Sequence, residues 1–235
     1  MGAGKDRLDL TIDVLDLPAQ HAAVLWTISP QELIAATLQE FRELEQLGID
    51  PGDYQLLDAA SGAPLDEKPL DGLFAKDAKD IHLKLVEKLP ATPRGAQPAP
   101  DPIYLREQAT GRVYRLGWLP AIVGRPDRNL PDNHLLAVNL EALPTGLRVS
   151  RRHVRLSEQS GQYYVQRMSG NPTVLRRATG ETINLLDASR TPIDNGDVIV
   201  LERSQITLKF LLLRATTPPV DPQSNDAATA AAGNG

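Results

Sequence analysis

The sequence predicts a multidomain chain in which an α+β domain, four strands around one helix, precedes an all-β sandwich. Three observations carry that expectation. Five prolines fall within residues 90–102, the net charge changes sign across them, and beyond them short alternating apolar runs are separated by turn residues. The 235 residues include 19 Pro and 17 Gly but only 4% aromatics, a composition suited to many turns and short elements rather than one helical bundle. Residues 1–89 hold 8 Lys/Arg against 17 Asp/Glu, a net charge of minus 9. Residues 103–214 hold 15 Arg and 1 Lys against 10 acidic residues, a net charge of plus 6. So sharp a split implies two domains with different partners, and the basic one is expected to meet an anion, nucleic acid or phosphoprotein. Two oppositely charged halves on one chain leave two expectations open: the acidic half partly covers the anion-binding loops of the basic half, or the two halves ignore each other and the acidic surface keeps the protein in solution.

The domain expectation is therefore 1–89 for the acidic α+β domain, 90–102 for a semi-extended Pro-rich linker, 103–214 for the sandwich and 215–235 for a disordered tail. The tail has no aromatic residue and a single Val, too little apolar surface to offset the entropy of ordering. In the first domain Leu8, Leu10, Ile12 and Val14 alternate with polar neighbours as a half-buried strand does, and a second strand is expected over 22–28. Ser29-Pro30-Gln31-Glu32 then combines an N-cap hydroxyl, Pro at the first helical position and Glu at the third, which is a capping box. Leu33, Ile34, Leu38, Phe41 and Leu44 follow at spacings of three and four, and Gly48 is placed to end the helix. Strands are expected again over 54–58 and 81–86. In the second domain the alternating runs are 113–116, 119–123, 153–156, 163–166, 197–201 and 205–213.

Whole classes of chemistry are excluded by what the sequence lacks. With no cysteine, there is no disulfide framework, thiolate metal site or cysteine nucleophile, and the four His are scattered. No P-loop, G-x-G-x-x-G after a strand, G-x-S-x-G or H-E-x-x-H occurs. No enzyme activity, catalytic residue, cofactor or metal is therefore expected. The start MGAGKDRLDLTIDV has no apolar signal region and no apolar run is long enough to span a bilayer, so a cytoplasmic protein without membrane insertion is expected. The basic half has no recognised nucleic-acid motif, which leaves phosphoprotein as the expected anion.

Two family resemblances sharpen these expectations. The order strand, strand, helix, strand, strand over residues 7–88, with YQLLDAASGAPLDEKPLDGLF leading to DIHLKLVEK, resembles the ubiquitin-like β-grasp fold, closest to bacterial ubiquitin-like proteins associated with type VII secretion. Its last strand runs into the proline stretch instead of a free Gly-Gly terminus, so conjugation is not implied. What it implies is a second protein partner. In the basic half, Gly124-Arg125, Ser150-Arg151-Arg152-His153, Ser169-Gly170-Asn171-Pro172-Thr173 and Asn195-Gly196-Asp197 occur in the order seen in forkhead-associated (FHA) domains, which that half resembles. The resemblance implies a phosphothreonine-dependent adaptor in bacterial signalling or secretion. By motif position Arg125 and Ser150 contact phosphate, Arg151 adds charge, and Asn171 bonds the peptide backbone. A guanidinium and a short hydroxyl suit a phosphate dianion because both donate to its oxygens. Gly124, His153, Ser169 and Thr173 support the binding loops, Ser169 and Thr173 by satisfying turn backbone. Arg148, two residues before Ser150 in a segment expected to be extended, points to peptide specificity. Two positions depart from the pattern. Gly170 stands where a hydroxyl residue is common, and Pro172 follows Asn171 in place of Gly. They support an alternative, a degenerate FHA scaffold that binds partners without phosphate.

Overall fold

The computed structural model describes residues 7–75, 78–186 and 188–213. The expected tail, 215–235, lies outside the described residues.

Strands β1 (Arg7–Val14) and β2 (Leu17–Leu25) form a hairpin, followed by α1 (Pro30–Glu40), β3 (Tyr54–Asp58), a single turn α2 (Leu70–Leu73) and β4 (Ile81–Glu87). The sheet order is β2-β1-β4-β3, with β1 and β4 parallel at its centre and both outer pairings antiparallel. Period-two alternation puts Leu8, Leu10, Ile12 and Val14 on one face, where they share a core with Leu33, Ile34 and Leu38 of α1. Glu32 N–H donates to Ser29 Oγ at 3.3 Å while Glu32 Oε2 accepts the Ser29 N–H at 2.9 Å, so the capping box is formed.

Two sequence expectations are corrected here. The second strand ends at Leu25, because Ile28 N–H already turns back to Leu25 O. The helix stops at Glu40, and Gly48 does not cap it: its N–H donates to the Tyr54 hydroxyl at 2.6 Å. Beyond Phe41 the chain continues in tighter turns, Leu44 N–H to Phe41 O and Leu47 N–H to Leu44 O. A three-residue repeat suits such turns as well as a helix, so Phe41, Leu44 and Leu47 still meet the core without helical backbone.

The second half supplies β5 (Gln97–Pro98), β6 (Ile103–Glu107), β7 (Val113–Arg115), β8 (Trp118–Leu119), β9 (Ala121–Gly124), β10 (Leu136–Asn139), β11 (Val154–Gln159) and β12 (Gln162–Arg167). It continues with β13 (Thr173–Arg176), β14 (Thr182–Asn184), β15 (Arg190–Ile193), β16 (Val198–Leu201) and β17 (Ile206–Leu212). A five-stranded sheet, β10-β9-β11-β12-β15, faces a six-stranded sheet, β14-β13-β16-β17-β6-β7. Alternate residues of both, among them Val123, Val154, Leu156, Val165, Leu175, Ile199, Leu208 and Phe210, form one core. Several of these strands escape the alternation signal. Strand β15 contains Pro192, which is tolerated because β15 is the edge of its sheet.

The proline stretch is docked at its far end. Gln97 and Pro98 pair with Leu119 and Trp118, and Ala99 N–H donates to Gly117 O at 3.1 Å. The N-terminal half also touches the sandwich directly. Glu87 of β4 accepts from the Tyr104 hydroxyl at 2.9 Å and from Arg115 Nη1 at 2.6 Å, and Lys209 Nζ meets the Glu45 carboxylate at 2.7 Å. No helix among the described residues is long and apolar enough to cross a membrane.

Candidate functional site

The loops after β9, before β11, between β12 and β13 and between β16 and β17 converge at one end of the sandwich. There they enclose an open cleft of about 590 Å³. Its lining includes Arg125, Arg148, Ser150, Arg151, Arg152, Asn171 and Arg203, with Leu130 and Leu147 as apolar wall. Among the described residues no part of the acidic half covers it: every lining residue belongs to the sandwich, and the N-terminal half makes its contacts at β6, β7 and β17 instead.

Strand β9 organises the cleft from its last residue. A Cβ at Gly124 would collide with the carbonyl oxygens of Ser150 and Arg151, so glycine is what lets these two segments touch. The next residue, Arg125, donates its Nε to Val149 O at 2.6 Å, which anchors the guanidinium and leaves Nη1 4.0 Å from Glu141. Residues 140–149, which the sequence leaves as a long excursion, wind in successive turns, Leu143 N–H to Leu140 O, Gly146 N–H to Leu143 O and Val149 N–H to Gly146 O. Those turns deliver the Val149 carbonyl to Arg125.

Ser150 sits in a closed ring of hydrogen bonds. Its N–H donates to His153 Nδ1 at 3.2 Å, and His153 Nε2 lies 3.1 Å from Thr173 Oγ1. Thr173 Oγ1 donates to Asn171 O at 3.2 Å, and Asn171 Nδ2 closes the circuit by donating to Ser150 Oγ at 2.7 Å. Because Nδ1 accepts, the imidazole proton is assigned to Nε2 and the ring is neutral. Burial, assisted by the nearby charge of Arg167, pushes the His153 pKa down to about 4 from 6.5. His153 and Thr173 thus link the segment carrying Ser150 to the one carrying Asn171.

Four of the expected site residues have partners or surroundings that the sequence does not show. Ser169 satisfies no turn backbone: its hydroxyl is buried without a hydrogen-bond partner among the described residues. Arg151 lines the cleft but is tied through Nε to Asp127 Oδ2 at 2.8 Å. Arg148 lies in a 3₁₀ turn, Gly146–Arg148, and not in extended chain, since its N–H closes a bond to Thr145 O; it is exposed and still lines the cleft. Asn171 reaches Ser150 despite Pro172, and its Oδ1 accepts from Arg203 Nη1 at 3.4 Å. At Gly170 a Cβ would meet open space.

Sequence reasoning missed Arg152 and Arg203. Arg152 stands inside the quoted motif, but Arg203 comes from the β16–β17 turn, 32 residues beyond Asn171, with no local signal. At the opposite end of the sandwich Gly196 takes φ +89 and Asp197 accepts from Arg177 Nη1 at 2.7 Å, Ala178 N–H and Asp194 N–H, so the fourth motif organises a turn remote from the cleft. Among the described residues no group of three or more His, Asp or Glu could hold a metal ion.

No family model matches the chain and no curated protein matches it. Among solved structures it is similar to the FHA domain of human APLF in complex with an XRCC1 bisphospho peptide, at 20% identity over 47% of this chain and 97% of that one, TM-score 0.34. It is also similar to Mycobacterium tuberculosis EmbR in complex with a low-affinity phosphopeptide, at 22% identity over 50% of this chain and 26% of that one, TM-score 0.36. A third is the FHA domain of an Arabidopsis thaliana hypothetical protein, at 16% identity over 55% and 99%, TM-score 0.35.

Proposed function

We propose that the chain is a phosphothreonine-dependent protein-binding adaptor, its second half an FHA domain and its first a ubiquitin-like β-grasp domain that engages another protein. The observation that carries this is the cleft itself: five arginines and one restrained serine hydroxyl, brought together by four loops at one end of a sandwich. A phosphate dianion has acceptor oxygens only, and this lining offers donors. Arg125 is anchored by Nε before any ligand arrives, so little side-chain entropy is lost when its terminal nitrogens bind. The role is binding, not catalysis, in the cytoplasm, in a type VII-like secretion or Ser/Thr kinase setting.

A second reading, a degenerate FHA scaffold, is favoured by a specific contact: Ser150 Oγ and Asn171 Nδ2 bond each other, and Gly170 supplies no hydroxyl. Calorimetry separates the two. A phosphothreonine peptide is expected to bind and its unphosphorylated twin not to. Arg125→Ala is expected to cost roughly 1.5–3 kcal/mol, the worth of a charge-assisted bond. Equal affinity of wild type and variant for the phosphopeptide would favour the scaffold.

A further inference from the structure

The sheet edges of this molecule are guarded unevenly. An edge strand presents backbone N–H and C=O groups that can pair with another chain, and proteins protect it with short strands, prolines, charges or a covering segment. Among the described residues every edge but one carries such a device. Strands β5, β7, β8, β10 and β14 are two to four residues long, and β15 contains Arg190 and Pro192. Strand β3 is covered by the turn that follows it, through Asp58 N–H to Ala63 O and Leu65 N–H to Leu56 O.

The exception is β2. It runs for nine residues, LPAQHAAVL, along the outer edge of the N-terminal sheet and holds no Asp, Glu, Lys or Arg, although 17 of residues 1–89 are acidic. Its one proline, Pro18, stands at the start beside Ala19 at φ +55, and residues 20–25 keep unbroken register with β1. Besides that ladder, the backbone of residues 20–24 makes no hydrogen bond among the described residues. His21, Ala23 and Leu25 are exposed, Leu25 at 54%. The sheet meets the sandwich through Glu87 of β4, so β2 lies on the side away from it.

Charge and register point to a second copy of this chain as the occupant. Residues directly opposite in an antiparallel pair share a face, so a twofold axis that matches the two exposed faces must pass through a residue. Centred on Ala22, it sets His21 of one copy opposite Ala23 of the other, and Gln20 opposite Val24. Strand β1 places Asp9 beside Ala23, and among the described residues no ion pair holds Asp9. Across the small Ala23, His21 of one copy therefore faces Asp9 of the other, at two strand spacings, roughly 9.5 Å between backbones. An imidazole and a carboxylate span that together, and symmetry makes the contact twice. Centred on Ala23 instead, the axis would turn His21 toward Leu25 and the Arg7 beside it.

We propose that two copies of the chain pair antiparallel through β2, centred on Ala22, joining their N-terminal sheets into one sheet of eight strands. Each sandwich stays on the far side of its own sheet, and the assembly carries two clefts, whatever those clefts bind.

Sedimentation equilibrium of the full chain tests this. The mass is expected to rise from 25.6 kDa toward twice that value as concentration increases. His21→Glu sets a second carboxylate against Asp9 and is expected to raise the dimer dissociation constant about tenfold, because the substitution enters the interface twice. Ala23→Lys, a charge on the bare edge, is expected to weaken the dimer as well. Adding Asp9→Lys to His21→Glu reverses the pair and is expected to restore the dimer to within about threefold of wild type. Urea unfolding of each variant separates lost pairing from lost folding, since all three positions are exposed. The proposal is overturned if the chain keeps a mass of 25.6 kDa at every concentration, which would leave β2 to a foreign strand. It is equally overturned if folded His21→Glu and Ala23→Lys dimerise like wild type, or if Asp9→Lys fails to rescue His21→Glu.

Discussion

His153 shows how much of the site depends on one neutral side chain. Its Nδ1 accepts the Ser150 N–H and its Nε2 faces Thr173, so a second proton would set two donors against each other at Ser150. The folded pKa of about 4 lies below the ordinary 6.5, chiefly through burial. The stability it supports is fully present above pH 6.5 and is lost as pH falls from there toward 4, where the unfolded imidazole takes up a proton that the folded one resists. The loss is expected to reach about 3 kcal/mol by pH 4. Urea unfolding of wild type and His153→Gln across that window checks it, since Gln can donate and accept but does not titrate; parallel pH curves for the two proteins would refute the assignment. Gly170 carries the opposite kind of prediction. Its added Cβ meets open space, so Gly170→Ser is expected to supply a further donor and tighten phosphopeptide binding by roughly 1 kcal/mol. Calorimetry on the variant reads this directly, and weaker binding would mean that position 170 does not face the phosphate.

At the scale of elements, local rules hold where one segment satisfies itself and fail where a neighbour takes over. The capping box of α1 is written in four consecutive residues and forms as read. Ser29→Ala is expected to cost about 1 kcal/mol, because the Glu32 N–H loses its acceptor and the Glu32 carboxylate loses the Ser29 hydroxyl. Chemical denaturation measures it, and an unchanged midpoint would mean that the cap adds nothing beyond the packing of α1. The C-terminal end of the same helix is not self-contained. Gly48 is claimed by the Tyr54 hydroxyl, six residues on, and the chain tightens to reach it. The 140–149 turns behave likewise: a Cβ at Gly146 would collide with the Leu140 and Glu141 carbonyls, so this segment folds onto itself only because glycine permits it.

For the whole molecule the decisive contact is Glu87, nearly buried at 8% side-chain exposure and answered by the Tyr104 hydroxyl and Arg115. Burial and the Glu87 charge both raise the Tyr104 pKa, which keeps its hydroxyl a donor. The exposed Glu45–Lys209 pair, by contrast, contributes little. Glu87→Ala leaves two donors without their acceptor and is expected to destabilise the chain by about 1–3 kcal/mol. It is also expected to separate the unfolding of the N-terminal sheet from that of the sandwich, while phosphopeptide affinity stays unchanged because the cleft lies elsewhere. Calorimetric scans of wild type and variant, with a titration of each, decide it. A single unaltered transition would show that Glu87 does not couple the two.

The sequence by itself determined what is local or periodic. The alternation of β1, the α1 cap and the Gly124-Arg125 and Ser150-to-His153 motifs are each legible within a few residues, because backbone sterics and period-two or three-to-four spacing act at short range. Strand β15 was not legible, since an edge strand can be polar and carry a proline, and β13 was not, since Thr173, Val174 and Leu175 are buried in succession and give no alternation. Only the tertiary structure decided how charge is shared. It gave Arg151 to Asp127, put Arg148 in a tight turn, brought Arg203 to Asn171 from the β16–β17 turn beside β13, and turned Glu87 toward Arg115. Hydrogen bonds and ion pairs form between groups that folding brings within about 3–4 Å, and sequence separation says nothing about that distance.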